Sequence, residues 1–229
     1  QDQLSKALFP IGELLKSEVR DIAREAGLAT AEKKDSQGLC FIGKVRLPDF
    51  LQQKLEPKEG NVWEVARDAA FLQEPRNTLA EQAKPFDFHP KRATKRGKHR
   101  GAHYYTVGQR KGLNIGGSPL PLFVLGVNTQ YNAIYVGQGE DHPGLYRKAL
   151  FITAEEEHWV RPDRSMQPGE TAQYSARIRY RQPLVPVTLH KVDEGLFLEF
   201  ETPEKAITPG QFAAWYDGDE LIGSGIIAE

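Results

Sequence analysis

The chain has 229 residues, of which 39% are hydrophobic and 27% charged, and its formal net charge at pH 7 is −1. This composition is typical of a globular protein with enough apolar material for a core. No apolar run is long enough to span a bilayer, no secretory leader is visible, and one cysteine cannot form an internal disulfide, so a cytoplasmic protein is expected.

The first segment, residues 1–56, has a helical pattern. Ser17 is placed to cap a helix whose apolar side chains recur at helical spacing as far as Ala26, and Gly27 stands where a left-handed C-cap is expected. A second short helix is predicted over Leu47–Leu55, with a loop between the two.

The middle segment, residues 57–143, changes to short β-rich runs separated by glycine, proline and asparagine. Between the first two runs, residues 66–100 have weak periodicity, which predicts an inserted loop with one helical turn near Thr78–Ala83. The predicted strands of this segment are Val62–Val65, His103–Val107, Leu122–Val127 and Ala133–Val136.

The last segment, residues 144–229, contains about six short strand-like runs, which predict a small closed barrel or a sandwich. In one run, Ala172–Arg181, Tyr180 falls on the apolar face and Arg179 on the basic face. The sequence Asp217–Asp219 predicts the turn of the last hairpin. The predicted fold class is therefore mainly β, with an N-terminal helical segment.

Basic residues are concentrated in the middle segment, although the charge of the whole chain is close to balanced. Phe88–Gly139 has no acidic residue and contains eight lysines and arginines, six of them between Lys91 and Arg100. Such a block predicts a polyanionic partner. A solvated, lysine-rich loop is the alternative.

The single cysteine, Cys40, lies in the stretch KKDSQGLCFIG, shortly after two lysines and a glycine. Nearby cations and free loop N–H groups favour a thiolate over a thiol, which predicts a nucleophile or a sulfur carrier. The alternative is a small buried hydrophobic residue, the commoner state of a lone cysteine. Metal binding is not expected, because no second cysteine or close histidine pair accompanies it.

Three further stretches carry side chains suited to RNA. Arginine donates in a fork to phosphate, an aromatic ring stacks on a base, and a glutamine amide both donates and accepts. Each has an alternative: a glycine-rich turn between strands for the first stretch, a solvent-exposed strand face for the second and an ordinary turn for the third. The candidate residues are Gln109, Arg110 and Lys111 in HYYTVGQRKGLNIGG, Arg179 and Tyr180 in ARIRYRQ, and Gln211 in AITPGQ.

Six motifs follow one another along the chain: LFPIGELLKSEVRDIAREAGL, KKDSQGLCFIG, YYTVGQRKGLNIGG, YVGQGEDHP, RIRYRQ and AITPGQFAAWYDGDELIGSGII. Together they closely resemble the C-terminal two-thirds of the tRNA-uridine 2-sulfurtransferases, or tRNA-specific 2-thiouridylases, which thiolate the wobble uridine of certain tRNAs. The resemblance implies that residues 1–56 end an ATP-pyrophosphatase domain. A small central domain and a C-terminal barrel of about six strands, similar to those of translation factors, would follow.

The resemblance also implies a chemistry. ATP with Mg²⁺ activates the uridine by adenylating its C2 oxygen, and a cysteine persulfide supplies the sulfur that displaces AMP. The persulfide cysteine of the family's DSxGxCFIG pattern matches Cys40, and Asp35, Ser36 and Gly38 form the supporting loop. A second family cysteine completes the exchange.

The same resemblance assigns tRNA contacts to Arg179, Tyr180 and Gln211, and less directly to the Gln109–Lys111 segment. The implied partners are tRNA and a persulfide-donating sulfur-relay protein. A monomer is expected, without membrane contact and without a metal site of its own. ATP is expected to bind the preceding domain and not this chain.

The family's ATP-binding loop and second cysteine have no counterpart in this sequence. The chain is therefore expected to be part of a longer protein and to be inactive alone. One competing hypothesis is a non-catalytic RNA-binding module in which Cys40 is merely structural. Another is an interaction domain that recruits a sulfur-relay protein.

Overall fold

The computed structural model describes residues 3–33, 50, 54–180 and 182–228 of the protein. The chain divides into two compact units, Gln1–Leu55 and Glu56–Glu229. The α-helices among the described residues are α1 (Lys16–Glu25) and α2 (Leu79–Ala83). Short 3₁₀ helices cover Leu4–Lys6, Ala70–Leu72, Pro90–Arg92, Ala102–Tyr104, Pro143–Leu145, Ala154–Glu156 and Pro162–Arg164.

The start of helix α1 differs from the sequence-based expectation. Ser17 is not its N-cap, because the helix already begins at Lys16 and Leu15 occupies the cap position. Leucine has no side-chain acceptor, and the cap is instead closed by Glu18, whose carboxylate accepts a hydrogen bond of 2.6 Å from the N–H of Leu15. A carboxylate in the first turn also complements the helix dipole.

The end of helix α1 is as predicted. Gly27 has a φ of +64° and donates its N–H to Arg24 O, and the N–H of Leu28 reaches back to Ala23 O, both at 2.9 Å. This pair of bonds satisfies carbonyl groups that the helix itself leaves without a donor. The second predicted helix, Leu47–Leu55, lies largely outside the described residues.

The second unit begins with a four-stranded sheet in the order β2-β1-β4-β3. Strands β1 and β4 run parallel, and the other two pairs are antiparallel. Three of the four predicted strands of this segment are confirmed. The strands are β1 (Gly60–Glu64), β2 (Thr94–His99), β3 (Leu122–Asn128) and β4 (Ala133–Gln138).

Two predictions for this region are wrong. Residues 66–100 are not a continuous loop, because they contain α2 and the edge strand β2. The predicted helical turn is confirmed, and Thr78 caps it by accepting a 3.2 Å hydrogen bond from Glu81 N. His103–Val107 is not a strand: Gly101, with a φ of +144°, turns the chain into a 3₁₀ helix there.

Both faces of the four-stranded sheet are covered by apolar side chains. Val124, Ile134 and Val136 are fully buried in the cluster on one face, whereas Leu125 and Tyr135 belong to the cluster on the other. Alternation along β3 and β4 sends successive side chains to opposite faces, so burial on both sides explains why these strands have continuous apolar sequences.

A seven-stranded antiparallel sheet forms the rest of the unit, in the order β5-β9-β8-β7-β10-β11-β6. The sheet curls so far that Ala228 N, just beyond β11, donates to Phe151 O on β5 at 2.9 Å. The structure thus confirms the predicted barrel-like sheet but has seven strands, since the three-residue β6 carries no periodic signal. The strands are β5 (Tyr146–Thr153), β6 (Glu157–Trp159), β7 (Thr171–Arg177), β8 (Val185–Val192), β9 (Gly195–Lys205), β10 (Phe212–Asp217) and β11 (Glu220–Ile226).

Trp215 lies fully buried at the centre of the curled sheet's core. Its ring centroid is 5.1 Å from that of Trp159, in an edge-to-face arrangement. Gly223 on the adjacent strand makes room for it, since a Cβ there would lie 2.4 Å from Trp215 Cζ2. Truncating such a buried tryptophan typically costs about 3–5 kcal/mol.

Candidate nucleic-acid interface

The predicted sulfur-carrying loop cannot be placed. Cys40, Asp35, Ser36 and Gly38 all lie outside the described residues. The geometry therefore bears on the predicted RNA-contacting residues, all of which are described.

Arg179 and Tyr180 lie just beyond the end of strand β7, which is shorter than predicted. The strand stops at Arg177 because the chain then turns: Ile178 N donates to Gln182 Oε1 at 3.1 Å. Tyr180 consequently leaves the apolar face on which its alternation placed it, and its side chain is 88% exposed. Arg179 is partly buried and donates from Nη2 to Ala206 O at 2.5 Å.

Gln211 ends a tight loop, Ala206–Gln211, between strands β9 and β10. Ala206 has a φ of +53°, an unusual conformation for a residue with a Cβ, and its N–H donates to Leu145 O at 2.6 Å. Gln211 N donates to Thr208 O at 3.3 Å, and Gln211 O accepts from Ile227 N at 2.8 Å. The Oε1 atom of Gln211 is buried without a hydrogen-bond partner among the described residues.

The residues of the Thr106–Lys111 turn have different roles. The side chain of Gln109 accepts from Thr106 N at 3.1 Å and donates to Lys111 O at 2.8 Å, so it stabilises the turn itself. The side chains of Arg110 and Lys111 are exposed to solvent. These two cations are therefore the members of the turn available to an external anion.

The structure brings the three predicted RNA stretches together. Gly108, with a φ of +84°, lies so close to the Ala206–Gln211 loop that a Cβ on it would be 2.7 Å from Ala206 Cβ. The same added Cβ would be 3.7 Å from Nη2 of Arg179. The turn, the loop and the end of strand β7 thus meet at one place, which we call the three-loop junction. It comprises Thr106–Lys111, Arg179–Tyr180 and Ala206–Gln211.

The basic run that includes strand β2 is partly neutralised. Arg96 Nε lies 2.7 Å from Glu64 Oε2, and Lys98 Nζ lies 2.5 Å from Glu59 Oε1. Lys95 and Arg100 have no carboxylate partner among the described residues. Both of these residues are exposed to solvent, where their charges suit phosphate groups.

Two buried histidines, His99 and His142, support loops of the same unit. In each, Nδ1 accepts from the N–H two residues later, at 3.0 and 3.1 Å, so Nε2 carries the ring proton. Each Nε2 donates to a backbone oxygen at 3.2 Å, that of Asn132 for His99 and that of Val65 for His142. Burial lowers the pKa of both imidazoles below the ordinary value of 6.5.

One buried residue near the three-loop junction gave no signal in the sequence. Arg147, only 7% exposed, donates from Nη2 to Ile207 O at 2.7 Å and from Nη1 to Ala83 O at the end of α2. It links the four-stranded part of the unit to the Ala206–Gln211 loop of the curled sheet. From the sequence, a lone arginine near the start of the last segment could not be distinguished from a surface cation.

Three family models match the chain. They are described as the tRNA methyl transferase HUP domain, over residues 1–44, the tRNA methyl transferase PRC-barrel domain, over residues 82–138, and the aminomethyltransferase beta-barrel domain, over residues 150–227. The second match begins at residue 82 and includes the whole of strand β2.

Curated relatives align over almost all of the chain. A tRNA-specific 2-thiouridylase MnmA of Christiangramia forsetii is 56% identical over 100% of the chain and 60% of the relative. Proteins of the same name from Flavobacterium johnsoniae and Levilactobacillus brevis are 53% and 42% identical, over 100% and 99% of the chain and 60% and 54% of the relatives. The chain thus spans about 60% of the length of the first of these relatives.

Proposed function

The chain belongs to the tRNA-specific 2-thiouridylase family, and from this we propose that it supplies the persulfide-carrying cysteine and the tRNA-binding domains of a tRNA 2-thiouridine synthase. In the proposed reaction, sulfur passes from a persulfide on Cys40 to C2 of an ATP-activated wobble uridine. Identity over the whole chain supports the family, and the three-loop junction supports the RNA-binding part of the proposal.

The convergence at the three-loop junction is the observation that carries the RNA-binding proposal. Three stretches, each ambiguous by itself, meet here; they carry an exposed tyrosine ring, two exposed cations and a buried glutamine oxygen without a partner among the described residues. We assign phosphate contacts to Arg110 and Lys111, base stacking to Tyr180 and a polar contact to Gln211. Arg179 then positions the Ala206–Gln211 loop through Ala206 O and directs its remaining donors to RNA.

For Cys40 we propose a carrier role. The terminal sulfur of its persulfide attacks C2 of the adenylated uridine, and AMP leaves with the former C2 oxygen. A second cysteine of the complete enzyme then attacks the Cys40 sulfur, forming a disulfide and releasing 2-thiouridine. A dithiol reductant then converts the disulfide back to two thiols and is itself oxidised to a disulfide. A sulfur-relay protein next transfers the outer sulfur of its own persulfide to Cys40, so turnover depends on thiolate reactivity.

ATP with Mg²⁺ would supply the activation of uridine, but the described residues do not fit a site for it. Among the described residues, no group of three or more His, Cys, Asp or Glu side chains is arranged to hold a metal ion. We therefore assign no step of the activation to these residues, and expect this chain alone to be inactive.

No helix in the described part of the chain is long and apolar enough to cross a membrane. We propose a cytoplasmic, monomeric enzyme.

Substituting Cys40→Ser in the full-length enzyme tests the carrier role. We expect 2-thiouridine in tRNA, measured by mass spectrometry of nucleosides, to disappear while tRNA affinity stays within about twofold, because a thiol-to-hydroxyl change removes no phosphate or stacking contact. Tyr180→Ala is the reciprocal control. It should weaken tRNA binding by about tenfold, the effect of losing one stacked base, and leave thiolation measurable at saturating tRNA.

Thiolation that persists in the Cys40→Ser enzyme would contradict the carrier role and favour a non-catalytic RNA-binding module. Loss of tRNA affinity in that variant would instead indicate a structural cysteine.

A further inference from the structure

A cavity of about 410 Å³ lies beside the three-loop junction. Its wall includes Val107 from the turn and both Ala206 and Pro209 from the loop, so it is continuous with the surface assigned to RNA. Phe86 and Phe88 contribute aromatic side chains. None of the predicted RNA-contacting side chains lines this cavity, so the proposed function does not account for it.

The cavity is lined by a buried cation, Arg147, whose charge no carboxylate in the described part of the chain balances. Arg147 has two carbonyl partners, and no carboxylate among the described residues pairs with it. Burial, and then the neighbouring Arg76, lower the pKa of Arg147 to about 10, so the guanidinium is still charged at neutral pH. A buried cation held only by carbonyl oxygens retains a strong attraction for an anion.

The surroundings of the buried arginine add to the positive field. The guanidinium carbon of Arg76 lies 4.0 Å from the centroid of the Phe86 ring, and its Nη1 donates to Lys84 O at 2.7 Å. The described lining contains one carboxylate, Asp87, and its Oδ2 lies 3.8 Å from Nη1 of Arg92. The described lining thus holds one buried cation, Arg147, and one carboxylate, Asp87, whose charge is shared with Arg92.

We propose that this cavity receives one unpaired nucleotide of the bound tRNA. The inference rests on the proposed function, because it takes tRNA as the ligand. The base packs against the phenylalanine side chains, and the negative charge of the nucleotide compensates Arg147. The volume exceeds what a phosphate ion needs, and the mixture of aromatic and cationic groups matches a nucleotide better than it matches a purely apolar ligand.

Plugging the mouth of the cavity tests this assignment. Gln130 is exposed and lines the cavity, whereas Tyr131, next to it in the same turn, is exposed and does not line it. Gln130→Trp in the full-length enzyme should weaken tRNA binding by about tenfold, as for a lost stacked base. Tyr131→Trp is the matched control and should stay within about twofold of wild type.

Chemical probing of base reactivity in the bound tRNA locates the nucleotide. One nucleotide protected by the wild-type enzyme and by Tyr131→Trp should become reactive with Gln130→Trp. A second variant, Arg147→Met, should lower the slope of log affinity against log salt by about 1, corresponding to one lost phosphate contact. A thermal melt shows whether this variant is folded, and Gln130→Trp decides the question if it is not.

The outcomes separate the two claims. If wild-type enzyme binds tRNA and Gln130→Trp binds it equally well with the same nucleotides protected, the cavity assignment is refuted and the proposed function stands. If the wild-type enzyme does not bind tRNA, both are refuted.

Discussion

The contact between Gly108 and Ala206 offers a direct test of the three-loop junction. Gly108→Ala adds one methyl group at a point where its carbon would be 2.7 Å from Ala206 Cβ. Two carbons pack best at about 3.5–4.0 Å, so the turn and the loop must separate. The substitution also places a side chain on a residue with a φ of +84°. Gly169→Ala provides a matched control, because Gly169 has a φ of +91° and nothing would lie within 4 Å of its added Cβ.

The two variants should differ by the cost of the steric overlap alone. The left-handed backbone costs an alanine about 1–2 kcal/mol at either position. Overpacking adds about 1–3 kcal/mol at Gly108 only. We therefore expect the free energy of unfolding to fall by about 1–2 kcal/mol in Gly169→Ala and by about 2–5 kcal/mol in Gly108→Ala.

Urea unfolding of the full chain measures these differences, and tRNA affinity at a temperature where both variants are folded measures the functional effect. Gly108→Ala should weaken tRNA binding several-fold, because the turn and the loop carry different contacts to one ligand. Gly169→Ala should bind like wild type. Equal destabilisation of the two variants, or unchanged tRNA affinity in Gly108→Ala, would refute the junction as a single binding surface.

Two further predictions concern protons and salt. Because the pKa values of His99 and His142 are lowered on folding, the folded state binds fewer protons, and stability present above pH 6.5 is lost as the pH falls below it. The melting temperature should therefore fall as the pH is lowered below 6.5. The His158→Asn variant, which changes an exposed histidine, should show the same fall. A melting temperature that does not change across this pH range would contradict the assignment of buried neutral imidazoles to His99 and His142. Affinity for tRNA should fall steeply with ionic strength, and neutralising Lys95 and Arg100 together should reduce the log–log slope by about 2. A slope equal to that of wild type would show that Lys95 and Arg100 do not contact the phosphates of tRNA.

Local signals explain which parts of the fold could be predicted from the sequence. The left-handed cap at Gly27, the helical turn after Thr78 and the hairpin at Asp217–Asp219 each depend on residues within a few positions of one another. Strand β2 was missed because TKRGKH has no apolar alternation. It is a strand because the edge of β1, distant in sequence, supplies its hydrogen-bonding partners.

The same reasoning explains why Tyr180 was assigned to the wrong face. Period-2 alternation continues in the sequence beyond Arg177, but a side chain, that of Gln182, takes the N–H of Ile178 that the next strand would have paired. A pattern of apolar residues does not show whether a backbone N–H will bond to a side chain or to a neighbouring strand. The error has a functional consequence, since an exposed Tyr180 can stack on a base and a buried one cannot.

The assembly of the candidate site depends on atoms that carry no sequence signal. Arg147 reaches backbone oxygens that are 64 and 60 positions away, and every residue type supplies such an oxygen. The approach of Gly108 to Ala206 depends on the absence of a side chain on one partner and a left-handed backbone on the other. Residues that recognise RNA can thus be identified from their chemistry, one at a time. The residues that bring them together are Gly108, Ala206 and the buried Arg147. Substitutions of these residues should weaken tRNA binding even if their own side chains do not contact RNA.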